Sequence, residues 1–413
     1  MTTQQEFKQT EIGRIPKEWE IKELKEVVDI NKEPRDPTRE SPDEKFFYID
    51  IDSIENGRGV IKTAKKIIGK EAPSRARRLI HYNDVIMSTV RPYLKAFAII
   101  PREYDNQICS TGFAVLTCKE KILPLYLLHT LFSKPVIEQC NKTMVGGQYP
   151  ALNTSQVEKI KLPLPPLHEQ KKIAEILSTV DKAIEKVDET IEKTERLKKG
   201  LMEKLLTKGI GHKEFKDTEI GRIPKEWEVV DLSKIFEFLD HLRVPVKEQD
   251  RTERKGPYPY YGAQGIIDWV NDYIFDGDYI LLAEDGENLR SRKLPIAFKV
   301  SGKFWVNNHA HVLKIASGVK DEYLIYVLNF INISRYVVGS AQPKLNQSDA
   351  RKIQLPLPRL PEQKKIAEIL STVDKRLELL REKKEKLDRV KKGLMDDLLS
   401  GKRRVTNLIS REV

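Results

Sequence analysis

Leu162 to Lys182 reads LPLPPLHEQKKIAEILSTVDK, and Leu355 to Lys375 reads LPLPRLPEQKKIAEILSTVDK. A near-identical run of 21 residues at an offset of 193 marks an internal duplication, which has to be read before any local motif. Glu11 to Glu20, EIGRIPKEWE, returns at Glu219 to Glu228 with an offset of 208. The two copies therefore share their ends, while the interior of the first is longer by 15 residues, the difference between the two offsets. The chain is two versions of one plan.

Working outward, Pro163, Pro165 and Pro166 forbid an earlier helix start, and Glu169 suits the positive end of a helix beginning close to His168. Apolar positions then step through Ile173, Leu177, Val180, Ile184, Val187, Ile191 and Thr194, alternating four and three residues. That is a heptad seam, which needs a partner helix. The second copy steps through Ile366, Leu370, Val373, Leu377, Leu380, Lys384 and Leu387. Continuation through Leu197, Leu201 and Leu205, matched by Val390, Leu394 and Leu398, predicts a stutter that relaxes the supercoil. Gly200 and Gly393 beside it predict close backbone approach, since glycine costs roughly 1 kcal/mol in helix propensity. A compact domain between the helices brings its ends together, so the helices are expected to pair antiparallel.

The interiors read as α+β. FFYIDIDSI, VIKTAKKII, DVIMSTV, KAFAIIP and ICSTGFAVL, between Phe46 and Leu116, are β-branched segments broken by turn residues, predicting a strongly bent sheet. A helical segment is expected over Leu123 to Ile137, and GGQYPAL, Gly146 to Leu152, reads as a loop. In the second interior YILLAEDG and FWVNNHAHVL read as strands, with Asp278-Tyr279-Ile280 taken as equivalent to Asp84-Val85-Ile86 and Val312-Leu313 to Val115-Leu116. The expected division is a globular domain over 1–165, a helix over 166–210, a second domain over 211–358 and a second helix over 359–413.

Lys plus Arg exceed Asp plus Glu by 73 to 62, which points to a polyanionic partner such as nucleic acid. No apolar run approaches the roughly 18 residues of a membrane span and no signal-peptide pattern opens the chain, so a cytoplasmic protein is expected. Cys109, Cys118 and Cys140 lack metal-ligand spacing and read as reduced thiols. Ser74, Arg75, Arg77 and Arg78, with Ser88, Thr89 and Arg91, are candidate contacts to phosphates or guanine edges, or else a solvated basic loop. In the second half Tyr261, Gln264, Arg290, Arg292, Asn307, Asn308 and His309 are the corresponding candidates, with turn formation the alternative for the amides. His309 and His311 lack the partners a metal site needs.

No phosphate loop, zinc-protease helix or nucleophile elbow occurs, nor an Asn or Asp followed by Pro-Pro and an aromatic. Glu169-Gln170-Lys171 and Glu362-Gln363-Lys364 contain the Glu-x-Lys of many nucleases but fall in helix first turns. The reading is a binding protein, with a stand-alone nuclease or a coiled-coil scaffold without a DNA role as alternatives.

The repeated EIGRIPKEWE, the repeated LPLPPL-EQKKIAEIL junction and KKGLM closing each helix together resemble the specificity subunit of type I restriction-modification enzymes, over essentially the full chain. The resemblance implies two target recognition domains, each reading half of a split, asymmetric site in double-stranded DNA, with the helix pair as a ruler. It implies two methyltransferase subunits that bind S-adenosylmethionine and methylate adenine, and two motor-nuclease subunits using ATP and Mg. All catalysis would belong to those partners, and this chain would hold no cofactor or metal.

Overall fold

Proline decides where the long helices begin. In the computed structural model, which describes residues 6–145, 147, 150–316 and 318–409, Lys161–Leu164 is a strand and the first long helix is Leu167–Thr207. Gln354–Leu357 and Leu360–Leu399 repeat that arrangement. The Gln after each buried or half-buried Glu anchors the start: Gln170 accepts from the Leu123 amide and donates to the Pro165 carbonyl, and Gln363 does the same with Lys320 and Pro358.

The chain divides into two compact units, 1–188 with 382–413, and 189–381. Each unit takes half of each long helix. In the first, Ile173, Ala174 and Leu177 share a core with Leu398, Leu399 and Val405. In the second, Leu205 and Leu206 share a core with Ile366, Ala367 and Leu370. A helix start meets a helix end in both, so the pairing is antiparallel. Ile184, Val187 and Leu377 are buried along the seam, whereas Val180, Ile191, Val373, Leu380 and Leu387 are half-buried.

The expected stutter is not there. Leu197 and Val390 are 53% and 50% exposed, while Lys391 is buried and Lys198 half-buried. Thr194, Lys198, Leu201 and Leu205, like Leu387, Lys391, Leu394 and Leu398, continue the heptad without interruption. Lysine takes the inward position because an aspartate faces it: Lys391 meets Asp181 at 2.6 Å, and Lys198 meets Asp374 at 2.5 Å. Gly200 and Gly393 are exposed, and a Cβ at either would meet nothing within 4 Å, so they mark no close approach.

In the first unit β1 (Phe7–Thr10) and β2 (Gly13–Pro16) form a hairpin, and β3 (Glu20–Glu23) pairs with β12 (Lys161–Leu164). Instead of one bent sheet there are two four-stranded ones. One orders β6 (Lys65–Ile68), β5 (Lys45–Ile49), β10 (Gln107–Ser110) and β7 (Ala76–Ile80). The other orders β4 (Val28–Ile30), β11 (Phe113–Cys118), β8 (Val85–Ser88) and β9 (Phe97–Ile99). The helical segment is broken into α1 (Pro124–Leu131) and α2 (Lys134–Thr143), with Ser133 extended between them and Pro135 in the first turn of α2. Within the loop expected over 146–152, residues 146, 148 and 149 lie outside the described residues.

The second unit opens with the equivalent hairpin β13 (Phe215–Thr218) and β14 (Gly221–Pro224), and β15 (Glu228–Asp231) pairs with β22 (Gln354–Leu357). One six-stranded sheet follows, ordered β16 (Phe236–Phe238), β21 (Ala310–Ile315), β19 (Phe275–Ala283), β20 (Ala297–Val306), β17 (Tyr258–Gly262) and β18 (Gly265–Val270). Its helix α3 (Asp321–Phe330) holds the sheet to the junction as α1 does: Tyr323 donates to Pro356 O and Tyr126 to Pro163 O, each at 2.9 Å. Val115 pairs with Ile86, and Val312 with Leu281, so Ile280 is the equivalent of Val85. The expected match of Ile280 to Ile86 was one residue out, which on a strand exchanges the two faces.

Gly200→Ala and Gly393→Ala should each stabilise the chain by about 1 kcal/mol through helix propensity, read as a raised urea midpoint. Gly209→Ala should lower it, because Gly209 sits at φ +63° and a Cβ would lie 2.5 Å from Glu362 Oε1 and 2.7 Å from Trp227.

Candidate nucleic-acid interface

Both units present the same backbone edge. In the first, the Thr89 amide donates to Gly112 O, Leu152 to Thr89 O and Arg91 to Pro150 O. In the second, the Glu284 amide donates to His309 O, Leu345 to Glu284 O and Gly286 to Pro343 O. Isolated bridges join Val145 to Ala151 and Val338 to Lys344. The loops concerned share Val145, Gly146, Pro150, Leu152 and Asn153 with Val338, Gly339, Pro343, Leu345 and Asn346, at the offset of 193 that relates the helices. Sequence reading missed this second use of the offset, although it was the signal that would have found the edge.

Around the first edge the arginines separate. Arg75 is exposed beside it, its carbonyl accepting from Thr111, and Ser74 is exposed next to it. Because β7 begins at Ala76, successive side chains point to opposite faces. Arg77 folds back to the Ala76 carbonyl at 2.9 Å and lies 3.4 Å from Asp36. Arg78 turns inward, where burial lowers its pKa and its Nη1 has no hydrogen-bond partner among the described residues. Neither the solvated loop nor a three-arginine patch describes this segment. Ser88 is buried and donates to Val90 O at 2.7 Å, and Thr89 donates to Gly112 O at 2.9 Å, so both hydroxyls shape the turn. Arg91 is held at φ 47°, in the left-handed region.

The second edge gathers more of its candidates. Tyr261 is parallel to Val306 and accepts the Asn307 amide, with its ring 5.7 Å from Phe304. Asn307 is buried and its side chain accepts from the His309 amide, the turn role. Gln264 and Asn308 are exposed at neighbouring turns, and His309 Nδ1 lies 2.6 Å from Asp285. Arg290 pins the Val338–Lys344 loop by donating to Gly339 O and Ser340 O. Arg292 does not join them: at φ 51° it donates to Leu328 O and Ile331 O, and burial lowers its pKa.

Beneath this edge lies a network of charged side chains. His311 is fully buried, with Nδ1 2.6 Å from Asp240 and Nε2 2.8 Å from Leu345 O. Glu284 accepts from Arg243 at 2.7 Å, and Asp240 also accepts from the Val312 amide and Gln347. Burial alone would raise the Asp240 pKa, but its hydrogen bond and attraction to His311, the Val312 amide and Arg243 outweigh this and hold it low. Asp240, Glu284 and His311 lie close enough for a metal. In this arrangement both His311 nitrogens already lie within hydrogen-bonding distance of an oxygen, Asp240 on one side and the Leu345 carbonyl on the other, and Arg243 occupies Glu284. The three thiols are disfavoured as metal ligands, since burial pushes each up to about 12.

Glu169 and Glu362 are also employed structurally. Arg404 donates to Glu169 from Nε at 3.0 Å and Nη2 at 2.6 Å, and Trp227 Nε1 donates to Glu362 at 3.0 Å beside His212 at 2.9 Å.

A family model described as the type I restriction modification DNA specificity domain matches residues 16–196 and 224–389. A Methanocaldococcus jannaschii protein provisionally named type I restriction enzyme MjaX specificity subunit is 30% identical, over 97% of both chains. The MjaVIII specificity subunit of the same organism is 29% identical over 98% of this chain and 97% of its own. A chain solved in work on complex assembly and conformational transition of the type I R-M system has a TM-score of 0.60 at 24% identity, covering 93% of this chain and 98% of its own.

Asp240→Ala should destabilise the chain by about 3 kcal/mol, the cost of orphaning a buried ion partner, whereas a chelator should leave the thermal midpoint of the parent unmoved.

Proposed function

The chain belongs to the type I restriction-modification DNA specificity family, and on that footing we propose that each unit reads one half of a bipartite, asymmetric duplex sequence. The observation that carries this is the shared edge. Two units hold equivalent strands and loops in the same hydrogen-bonded frame, yet present Arg75 and Thr111 in one and Gln264, Asn308, His309 and Lys344 in the other. A constant frame with different side chains is what two readers of unlike half-sites require. The antiparallel helices set the half-site separation and dock two methyltransferase subunits.

S-adenosylmethionine binding and adenine methylation belong to those subunits, and ATP and Mg to two motor-nuclease subunits. This chain contributes selection and no catalysis, acting in the cytoplasm where the DNA is. Among the described residues no helix is long and apolar enough to cross a membrane.

The test uses the chain assembled with its methyltransferase. Binding should fall steeply with salt, as phosphate neutralisation dictates. Arg75→Ala and Gln264→Ala should each weaken binding by about 1–3 kcal/mol and relax a different half-site. Equal affinity for all duplexes would overturn the proposal. Four residues inserted between Val187 and Thr190 should lengthen the preferred spacer with both half-sites unchanged.

A further inference from the structure

The long helices carry the same ionic pair twice with donor and acceptor exchanged between them. In the first unit Asp181 of the first helix meets Lys391 of the second at 2.6 Å; in the second unit Lys198 of the first meets Asp374 of the second at 2.5 Å. Asp374 follows Asp181, and Lys391 follows Lys198, by the offset of 193. Each pair is tied to its own globular region. His129 of α1 lies 3.2 Å from Ser178 and 3.9 Å from Asp181, and Tyr326 of α3 donates to Asp374 at 2.6 Å. Burial holds His129 down to about 4, so it meets Asp181 as a neutral ring, while burial and then Asp374 raise the Tyr326 phenol, which stays a donor.

The sequence offers the helices a second packing. Turning by one residue would exchange Lys198 for Leu197 and Lys391 for Val390, placing apolar side chains inward and producing the stutter that hydrophobicity alone favours. The lysine packing leaves Leu197 and Val390 half exposed. Lys391 is buried, while Asp181, Lys198 and Asp374 are half-buried. A partly buried ion pair adds little net stability over an apolar pair, and the best-attested use of a polar group in such a seam is to specify register. We propose that Asp181–Lys391 and Lys198–Asp374 are positioning residues that select the uninterrupted heptad and thereby set how each recognition domain sits on the helices. This rests on the half-site reading above and assigns the residues that hold the spacing.

The test uses the full chain with Lys198→Met and Lys391→Met, apolar replacements of similar length that should keep it folded. The Leu197→Cys thiol should react readily with iodoacetamide in the parent and about twofold or more slowly beside Lys198→Met, as the two packings approach equal population. With the methyltransferase present, the Met variants should accept spacers one base pair longer or shorter while keeping both half-sites. Reversing the pair, Asp374→Lys with Lys198→Asp, should restore parent labelling and spacing. Unchanged labelling in the Met variants, or a reversed pair that behaves like them, overturns the proposal. A parent complex with no preferred spacing would instead defeat the half-site reading, while the labelling result would still decide whether these pairs select the packing.

Discussion

A carboxylate buried at the start of a helix has to be met by something. Glu169 is 1% exposed in the first turn of its helix. The helix dipole offers about 0.3–1 kcal/mol, while removing a carboxylate from water costs several. Arg404, just beyond the end of the other helix, supplies the missing partner and reaches Glu18 as well. In the second unit Glu362 is met by His212 and the Ile210 amide, just beyond the end of the first helix, and by Trp227. Each helix start is thus bonded to the residues that follow the other helix's end. Antiparallel pairing within each unit follows from that exchange as much as from the apolar seam.

The two junctions solve this problem differently. Trp227 donates its indole N–H to Glu362, whereas the equivalent Trp19 is buried with its Nε1 unpartnered among the described residues, and Arg404 instead bonds both oxygens of Glu169. The cost of that orphaned donor is offset by a charge-assisted, two-point contact. Above the junctions the same logic recurs: equal backbone frames with unequal side chains. The first edge rests on hydroxyls and an apolar interior, and the second on the Asp240, Arg243, Glu284 and His311 network. Duplication preserved what the backbone demands and released what faces outward.

Much of this was legible beforehand. Proline placement located the long helices to within a residue or two, because the missing amide and fixed φ act locally. The apolar seam was legible to Thr194, where hydrophobicity and the actual packing part company. Leu197 and Val390 looked like seam residues, and only the facing Asp374 and Asp181 explain why Lys198 and Lys391 displace them. The arginine cluster at Arg75 to Arg78 suggested one surface; strand alternation sent its members to the solvent, to Asp36 and to the interior.

By itself the sequence determined the duplication, the start of both helices and the α+β class, since each follows from spacing along the chain, whereas the second helix, expected to run to 413, ends at Leu399. Tertiary structure decided which residue of a pair turns inward, which strand register holds, and which polar groups reach the edge. Those depend on partners from distant positions: an aspartate across the seam, Ile86 beside Val115, or the Leu345 carbonyl beneath His311. A linear pattern carries the periodicity of a helix or strand, but the charge or hydrogen-bond acceptor that selects among equally periodic packings enters only when the chain folds back on itself.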